Sequence, residues 1–306
     1  MERPQVASDA GPEGAWLQEA ERGTDLGVAA LLLAYRWFGR PFAAVILRLV
    51  ASWYAIASPS VRRNSLGYLR RLWPEAGTRE VVRHIVTFAQ CAFDRVLFAA
   101  GERSAFRIER HGYQHLQRQA RSGRGALLLG AHVGSFEAMR AMAGAERFVI
   151  RPLVHFANAR RITKMLRTVA PGFDAGVIEI DPAAPHWILR VQECIDRGEF
   201  IAILGDRTGL SEGTAPVSLL GGTALLPTGP YTLAAVLRCP VYLTFGLYHA
   251  PNTYALYCEP FATRIELPRG DRAAAAARLA QRYADRLEFY LRRAPYCWFN
   301  FFAMWQ

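Results

Sequence analysis

Short apolar runs alternate with segments of helical apolar spacing from residue 106 to the carboxyl terminus. Apolar runs bounded by glycine, proline or charged residues are typical of buried strands, and apolar positions that recur every three or four residues are typical of helices. We predict strands at 106–110, 125–131, 148–156, 176–180, 200–205, 216–220, 241–249 and 253–259, and helices at 113–121, 135–143, 159–169, 185–197, 229–238 and 271–293. This alternation predicts an α/β fold with a largely parallel central sheet covered by helices.

An apolar and aromatic segment precedes this region, at residues 26–57, and only three arginines interrupt it. No uncharged stretch within it reaches the ~18 residues that a membrane-spanning helix requires. Its tryptophan and tyrosine side chains favour a membrane interface, where arginine can extend to lipid phosphates. We predict one or two helices that lie in or dip into the cytoplasmic leaflet, broken near Gly39 and Pro41. A true membrane span and a helix buried in the protein's own core stay open as alternatives.

Two further helices are predicted between this segment and the alternating region. The first begins with a capping serine and a first-turn proline at Ser58 and Pro59 and ends before Pro74, and the second runs from near Thr78 toward residue 100. The chain thus divides into a polar, disordered tail at 1–23, a helical membrane-associating region at 24–104 and an α/β core at 105–306.

The charge of the chain favours an anionic partner. Among 306 residues the formal net charge is +11, and Lys164 is the single lysine beside many arginines. A basic protein is drawn to nucleic acid, anionic lipid head groups or acidic carrier proteins. We find no nucleic-acid recognition motif and expect no nucleic-acid partner. The five cysteines lack metal-binding spacing, so we expect reduced thiols and no metal site.

His132 and Glu137 are the strongest candidates for chemistry. In one continuous helix, five residues turn through about 500°, so these side chains would point about 140° apart. They can meet if His132 lies in a turn after a strand and Glu137 in the first turns of the next helix, a geometry that the flanking Gly130 and Gly134 favour. A carboxylate on one ring nitrogen fixes the tautomer of a histidine that acts as base. The alternative is a histidine that caps a helix or is satisfied in the core.

Charged and polar residues follow two other predicted strands. Asp206 and Arg207 come after the strand at 200–205, and Asn158 and Arg161 after the strand at 148–156. Sheets of this kind place ligands beyond the carboxyl ends of their strands. Arg207 is suited to a phosphate or an oxyanion, with Asp206 holding it or a neighbouring arginine, and Arg161 is suited to a substrate phosphate. An internal Asp206–Arg207 ion pair and a surface arginine are the simpler alternatives.

Four segments carry a resemblance to a known family: GAHVGSFE, LGDRTG, LLGGTALLPTGPYTLAAVLRCPV and YCWFNFFAMW. In this order along the chain they resemble the lysophospholipid acyltransferase superfamily, in its branch of late lipid A (lauroyl/myristoyl) acyltransferases. The resemblance implies a glycerolipid-acyltransferase-like fold and transfer of a fatty acyl group to a hydroxyl or amine of a lipid acceptor. It also implies that His132 is the base and Glu137 its orienting partner.

The resemblance completes the expected site. Gly134 and Ser135, with a backbone N–H at the start of the helix facing the oxyanion, join Asn158, Arg161, Asp206 and Arg207 as substrate-binding residues. We expect no cofactor. We expect acyl-carrier protein or coenzyme A as the acyl donor, and a monomer that lies on anionic lipid at the cytoplasmic face of the inner membrane.

Two departures qualify the resemblance. Ala131 and Glu137 stand where the commonest glycerolipid motif has Asn and Asp, and the E-G-T-R block of that branch is missing, which places glycerol-phosphate specificity in doubt. Two other functions stay open: hydrolysis of acyl thioesters with water as acceptor, and a non-enzymatic basic lipid-binding protein.

Overall fold

The computed structural model describes residues 25–145, 148–154, 176–181, 184, 186–207 and 213–305. The helices within this part are α1 (Asp25–Ala57), α2 (Pro59–Leu72), α3 (Thr78–Ala99), α4 (Tyr113–Arg121), α5 (Phe136–Ala145), α6 (Trp187–Asp196), α7 (Gly229–Leu237) and α8 (Arg272–Arg293). The strands are β1 (Arg107–His111), β2 (Leu127–Gly130), β3 (Ile150–Val154), β4 (Ile178–Glu179), β5 (Phe200–Leu204), β6 (Thr214–Leu219), β7 (Gly222–Pro227), β8 (Val241–His249) and β9 (Thr253–Ala262). The tail predicted at 1–23 and the helix predicted at 159–169 lie outside the described residues.

Seven strands form the main sheet, in the order β1-β9-β8-β2-β5-β3-β4. Strands β8, β2, β5, β3 and β4 run parallel, β9 is antiparallel to β8, and β1 is parallel to β9. The predicted α/β fold with a largely parallel sheet is therefore confirmed. Strand β2 lies between β5 and β8 and is buried along its whole length, which agrees with its unbroken apolar run.

The register of β2 against β5 sets up the site. Gly130, the last residue of β2, pairs with Leu204, the last residue of β5. Both strands point the same way, so the residues that follow them leave the sheet side by side at its carboxyl edge. His132 and Asp206 each lie two residues beyond this pair.

A hairpin of β6 and β7 forms a separate two-stranded sheet. The sequence predicted a strand near β6 but not β7. A two-residue turn, Leu220 (φ 50°) and Gly221 (φ 71°), joins the two strands. Both residues take the left-handed backbone that tight hairpins require, and a leucine at the first position hides the usual Asn-Gly signal. The hairpin packs against α8, and the indole of Trp305 donates to Leu219 O (2.9 Å).

The three amino-terminal helices form where the sequence predicts them. Helix α1 is kinked at Gly39 (φ 75°), next to Pro41, which confirms the predicted break. Helix α3 has its first turn closed by the Glu80 carboxylate, which accepts from the Gly77 N–H (2.9 Å). Side chains of α2 and α3 such as Tyr68 and Leu97 are buried in one hydrophobic core with the α/β sheet, so these helices pack directly on the sheet.

Helix α1 has two contrasting faces. Ala43 and Ala51 are buried against the protein, whereas Trp37 and Trp53 keep 74% and 67% of their surface exposed. The helix is therefore not buried in the protein's own core. Residues Ala30–Ala57 are long and apolar enough to cross a membrane, judged by length and composition.

A buried ion pair fixes α1 to the core. Arg40 lies at the kink and its guanidinium is 2.7 Å from the carboxylate of Asp94 on α3, whose side chain is fully buried. The hydroxyl of Tyr254 on β9 donates to the same carboxylate (2.8 Å). The kink thus turns one arginine of the apolar segment inward, where its charge is compensated.

Candidate active site

The turn between β2 and α5 carries His132 and is held by backbone hydrogen bonds from two directions. The N–H of Gly134 donates to Cys297 O (2.8 Å), and the N–H of Phe299 donates to His132 O (2.9 Å). The N–H of Ser135 donates to Gly246 O on β8 (2.9 Å). The carboxyl-terminal segment and β8 therefore fix the backbone on both sides of His132.

Only glycine fits at position 134. Its φ is 67°, in the left-handed region, and a Cβ atom there would lie 1.8 Å from Gly246 O. A side chain would force the turn away from β8. The glycines that the sequence places around His132 thus serve close backbone packing.

Asp206 holds the imidazole of His132. The Nδ1 atom of His132 is 2.8 Å from Asp206 Oδ1, and the backbone N–H of His132 donates to Oδ2 (3.0 Å). The indole N–H of Trp298 donates to the same Oδ2 atom (2.8 Å). An ionised carboxylate only accepts, so Nδ1 carries the proton and Nε2 is the basic atom.

The charge of Asp206 is secured by its neighbours. Burial opposes the charge, because the side chain is 1% exposed. The contact with His132, then Arg207 and Trp298, more than offsets burial and lowers the pKa of Asp206 to about 2. The carboxylate is therefore ionised across the whole physiological range.

The imidazole of His132 stays neutral to a lower pH than an ordinary histidine. Burial lowers its pKa, Arg207 and Arg95 lower it further, and Asp206 opposes them. The side chain nevertheless keeps 32% of its surface exposed. Within the described part of the chain no group hydrogen-bonds Nε2, so the basic nitrogen can reach a substrate.

Glu137 does not contact His132, in contrast to the expected His–Glu dyad. It lies in the first turn of α5, and its carboxylate forms an ion pair with Arg95 of α3 (2.6 Å). The Nδ1 atom that the dyad requires is already bonded to Asp206. The strand register explains the difference, because the Gly130–Leu204 pair brings the two strand ends together.

The sequence suggested that a backbone N–H at the start of α5 faces an oxyanion. The N–H groups of Gly134 and Ser135 do not have this role. Both donate to backbone carbonyls of the fold. The Ser135 hydroxyl accepts from the N–H of Ala138 (3.1 Å) and so caps α5. The contribution of these two residues is to shape the turn.

Arg207 lies beside the His132–Asp206 pair, as the sequence predicted. Its guanidinium donates to Phe299 O (2.7 Å) and lies over the ring of Phe302 (5.3 Å to the centroid). Its charge lowers the pKa of both His132 and Asp206. Asn158 and Arg161, the other predicted substrate-binding residues, lie outside the described residues.

Two site residues were not assigned a role from the sequence, Trp298 and Arg95. Trp298 is fully buried and lies in the aromatic tail, where nothing in the pattern distinguishes one aromatic residue from another. Arg95 lies 42 positions before Glu137 in the sequence. The signal that could have identified Asp206 as the partner is the equal offset of His132 and Asp206 from two neighbouring strand ends.

An apolar pocket lies between α4, α5 and the sheet, and neither His132 nor Asp206 lines it. Phe136 and Met139 form one wall, and both belong to the helix that begins directly after the His132 turn. The rest of the lining is mainly apolar: Tyr113, Leu116, Leu128, Phe148, Ile150, Leu256 and Tyr257, with Arg110, His111, Thr244 and Cys258. The pocket suits a hydrocarbon group.

Comparison with known protein families gives a match. The model of the family described as bacterial lipid A biosynthesis acyltransferase matches residues 18–306. The match covers α1 to α3 as well as the α/β core. No match to a curated protein is found.

Proposed function

The chain belongs to the bacterial lipid A biosynthesis acyltransferase family and is an acyltransferase, and from this premise we propose that His132 is the general base of acyl transfer. The acyl group moves from the thioester of acyl-carrier protein to a hydroxyl of a lipid A precursor. One observation carries the assignment: Asp206 fixes Nδ1 in the protonated form, which leaves Nε2 basic and accessible.

The reaction follows from this tautomer. Nε2 takes the proton of the acceptor hydroxyl as its oxygen attacks the thioester carbonyl, which forms a tetrahedral oxyanion. The carbon–sulfur bond then breaks, and the imidazolium returns the proton to the departing thiolate. Asp206 stabilises the imidazolium between these steps without itself becoming protonated.

Two arginines add positive charge to the site. Arg207 and Arg95 both act on the charge of His132. We assign Arg207 to the oxyanion or to a phosphate of the acceptor, since guanidinium suits both. Glu137 holds Arg95 in place through the ion pair, so that its contribution to transfer is made through Arg95.

The acyl donor has to bring a hydrocarbon chain and a carrier. The apolar pocket beside α5 is suited to a fatty chain, and the net charge of +11 is suited to an acidic carrier protein, which we propose as the donor. Transfer rates with acyl-carrier protein and with acyl-coenzyme A at equal concentration separate the two donors. A higher rate with coenzyme A that is insensitive to salt would contradict the carrier assignment.

We place the protein at the cytoplasmic surface of the inner membrane, and the exposed face of α1 supports its contact with a membrane. Trp37, Phe38, Trp53 and Ile56 are each more than half exposed, and large apolar side chains contribute about 1.5–3 kcal/mol each when buried. Replacing both tryptophans by glutamate should weaken binding to anionic vesicles at least about tenfold. Val236→Glu, at an exposed valine of α7, is the control. Equal sedimentation of both variants with vesicles would remove α1 as the membrane contact.

The decisive test of the function is His132→Ala. Acyl transfer to a lipid A precursor should fall to background, while the far-ultraviolet circular dichroism stays that of the wild type. His249→Ala, at an exposed histidine at the end of β8, should keep full activity. Undiminished transfer by His132→Ala would refute the assignment. Thioester consumption at full rate without any lipid acceptor would instead indicate a hydrolase.

A further inference from the structure

His84 is a buried histidine that the acyl-transfer mechanism does not use. It lies on α3, is fully buried, and has a partner on each ring nitrogen. Nε2 is 2.7 Å from Trp298 O, and Nδ1 is 2.8 Å from the Ser65 hydroxyl. A carbonyl oxygen can only accept, so Nε2 carries the proton and Nδ1 accepts from Ser65.

The direction of these hydrogen bonds does not change near neutral pH. Burial lowers the pKa of His84 to about 4, although the bond to Trp298 O opposes this. The imidazole is therefore neutral wherever the enzyme works. It acts as a fixed donor to the Trp298 carbonyl and exchanges no proton with a substrate.

Trp298 connects His84 to the active site. Its carbonyl accepts from His84, and its indole N–H donates to Oδ2 of Asp206, whose Oδ1 bonds His132. A buried chain of hydrogen bonds thus runs from Ser65 on α2 to the catalytic imidazole. Every link has normal length, between 2.7 and 2.8 Å.

Other contacts hold the same carboxyl-terminal segment without touching Asp206. The Tyr68 hydroxyl donates to Pro295 O (2.8 Å), and the Asn64 amide donates to Phe301 O (2.7 Å). These bonds come from α2, as the Ser65 bond does. They offer a direct comparison between holding the segment in place and directing its indole at the carboxylate.

We propose that Ser65 and His84 are positioning residues for acyl transfer, which act through Trp298 to keep Asp206 oriented toward His132. The inference rests on the proposed function for its kinetic consequence, but not for its structural one. Oδ2 of Asp206 accepts two N–H groups, from His132 and Trp298. If Trp298 shifts, Oδ2 keeps only the backbone N–H of His132, so the carboxylate that accepts from Nδ1 is held less firmly.

A matched pair of variants at His84 tests this chain. His84→Gln places an amide N–H where the imidazole Nε2–H lies, whereas His84→Met has the same length and no donor. Displacements of about 1 Å in a site can cost 10²-fold in rate, so we expect kcat to fall by up to about a hundredfold in His84→Met and to recover in His84→Gln. Ser65→Ala is a milder second variant, with a smaller fall in kcat.

The tautomer of His132 is read by ¹⁵N NMR on the full chain in detergent micelles, with His132→Ala to assign its resonances. We expect the protonated Nδ1 signal in the wild type and in His84→Gln, and an averaged signal in His84→Met and Ser65→Ala. Tyr68→Phe keeps its ring and loses one bond to the carboxyl-terminal segment. It should lower the unfolding temperature and leave the tautomer and kcat unchanged.

The two readouts separate the inference from the proposed function. An unchanged His132 tautomer in both His84→Met and Ser65→Ala overturns the positioning role, whatever the activity. An altered tautomer in Tyr68→Phe as well overturns it too, because any loosening of the segment would then suffice. The remaining outcome is a wild type that transfers no acyl group, together with a His132 tautomer that changes in His84→Met but not in His84→Gln. In that case the hydrogen-bond chain stands and the proposed function fails.

Discussion

Two carboxylates are candidates to hold His132, one beyond the end of β5 and one in the first turn of α5, and their settings are very different. Asp206, beyond β5, is 1% exposed and accepts three hydrogen bonds, two of them from His132 itself. Glu137, in α5, is paired with one arginine of a different helix. Of the two, the residue distant in sequence binds the imidazole, and the residue five positions away does not.

The difference shows that strand register outweighs sequence proximity in assembling this site. Paired residues at the ends of β2 and β5 bring the following residues together with little freedom. A helix that starts after a turn instead directs its first side chains according to its own axis, and the axis of α5 points Glu137 at α3. A sequence motif containing both a base and an acid therefore need not be a hydrogen-bonded pair.

The strongest test of this contrast is Asp206→Asn. The asparagine oxygen has to accept the two N–H groups that now meet Oδ2, so its amide N–H faces Nδ1 of His132. The imidazole then shifts its proton to Nε2 and can no longer act as base. We expect kcat to fall by about 10³–10⁴-fold, the effect of a reversed tautomer in a comparable triad, measured as acyl transfer at saturating donor. A fall of less than tenfold would remove Asp206 from the mechanism.

Glu137→Gln should have a smaller effect, because Glu137 acts through Arg95. We expect kcat to decrease by at most about a hundredfold, as for a displacement of about 1 Å in the site. The double variant Glu137→Gln with Arg95→Gln should lose no more activity than the more impaired single variant, because both changes break the same ion pair. A loss as large as that of Asp206→Asn would restore Glu137 as the orienting partner.

Acid stability distinguishes the two settings in the absence of substrate. The pKa of Asp206 is lowered from 3.8 to about 2 by His132, Arg207 and Trp298 against the opposing effect of burial. A carboxyl group whose pKa is lower in the folded state stabilises the fold at pH values above its unfolded pKa. This contribution is lost as the pH falls through its folded pKa. The loss amounts to about 2 kcal/mol between these two limits.

Urea unfolding above pH 3.8 and near pH 2 measures this loss. Asp206→Asn should lack that part of the pH dependence, whereas Asp271→Asn, at an exposed ion pair with Arg278, should keep it. Equal acid sensitivity of the wild type and Asp206→Asn would show that the folded state does not depend on the charge of Asp206.

The pH profile gives the smallest expected effect. Burial and then Arg207 lower the pKa of His132 below 6.5, Arg95 adds to this, and Asp206 opposes it. A base has to be neutral, so kcat/KM should fall only as pH drops through a value below 6.5. Arg207→Gln removes one positive charge and should move this acidic limb to higher pH. A shift to lower pH would contradict the assigned electrostatics.

The sequence predicted most of the elements but only part of the site. Apolar composition located α1, its glycine and proline located the break near Gly39, and local apolar patterns located the α4 helix and strand β8. Strand β7 was missed, since its turn lacks the usual residues. His132, Asp206 and Arg207 were found as strand-end residues, but pairing between strands is a property of the sheet, and one chain's pattern does not specify it. For the same reason Trp298 could not be told apart from the other aromatic residues of the tail.

The tautomer of His132 tests the central claim most directly, because it reports the partner of Nδ1 without any substrate. ¹⁵N NMR of the wild type, Asp206→Asn and Glu137→Gln distinguishes a protonated from an unprotonated Nδ1. We predict protonated Nδ1 in the wild type and in Glu137→Gln, and protonated Nε2 in Asp206→Asn. A tautomer that changes in Glu137→Gln and is unchanged in Asp206→Asn would contradict this account of the site.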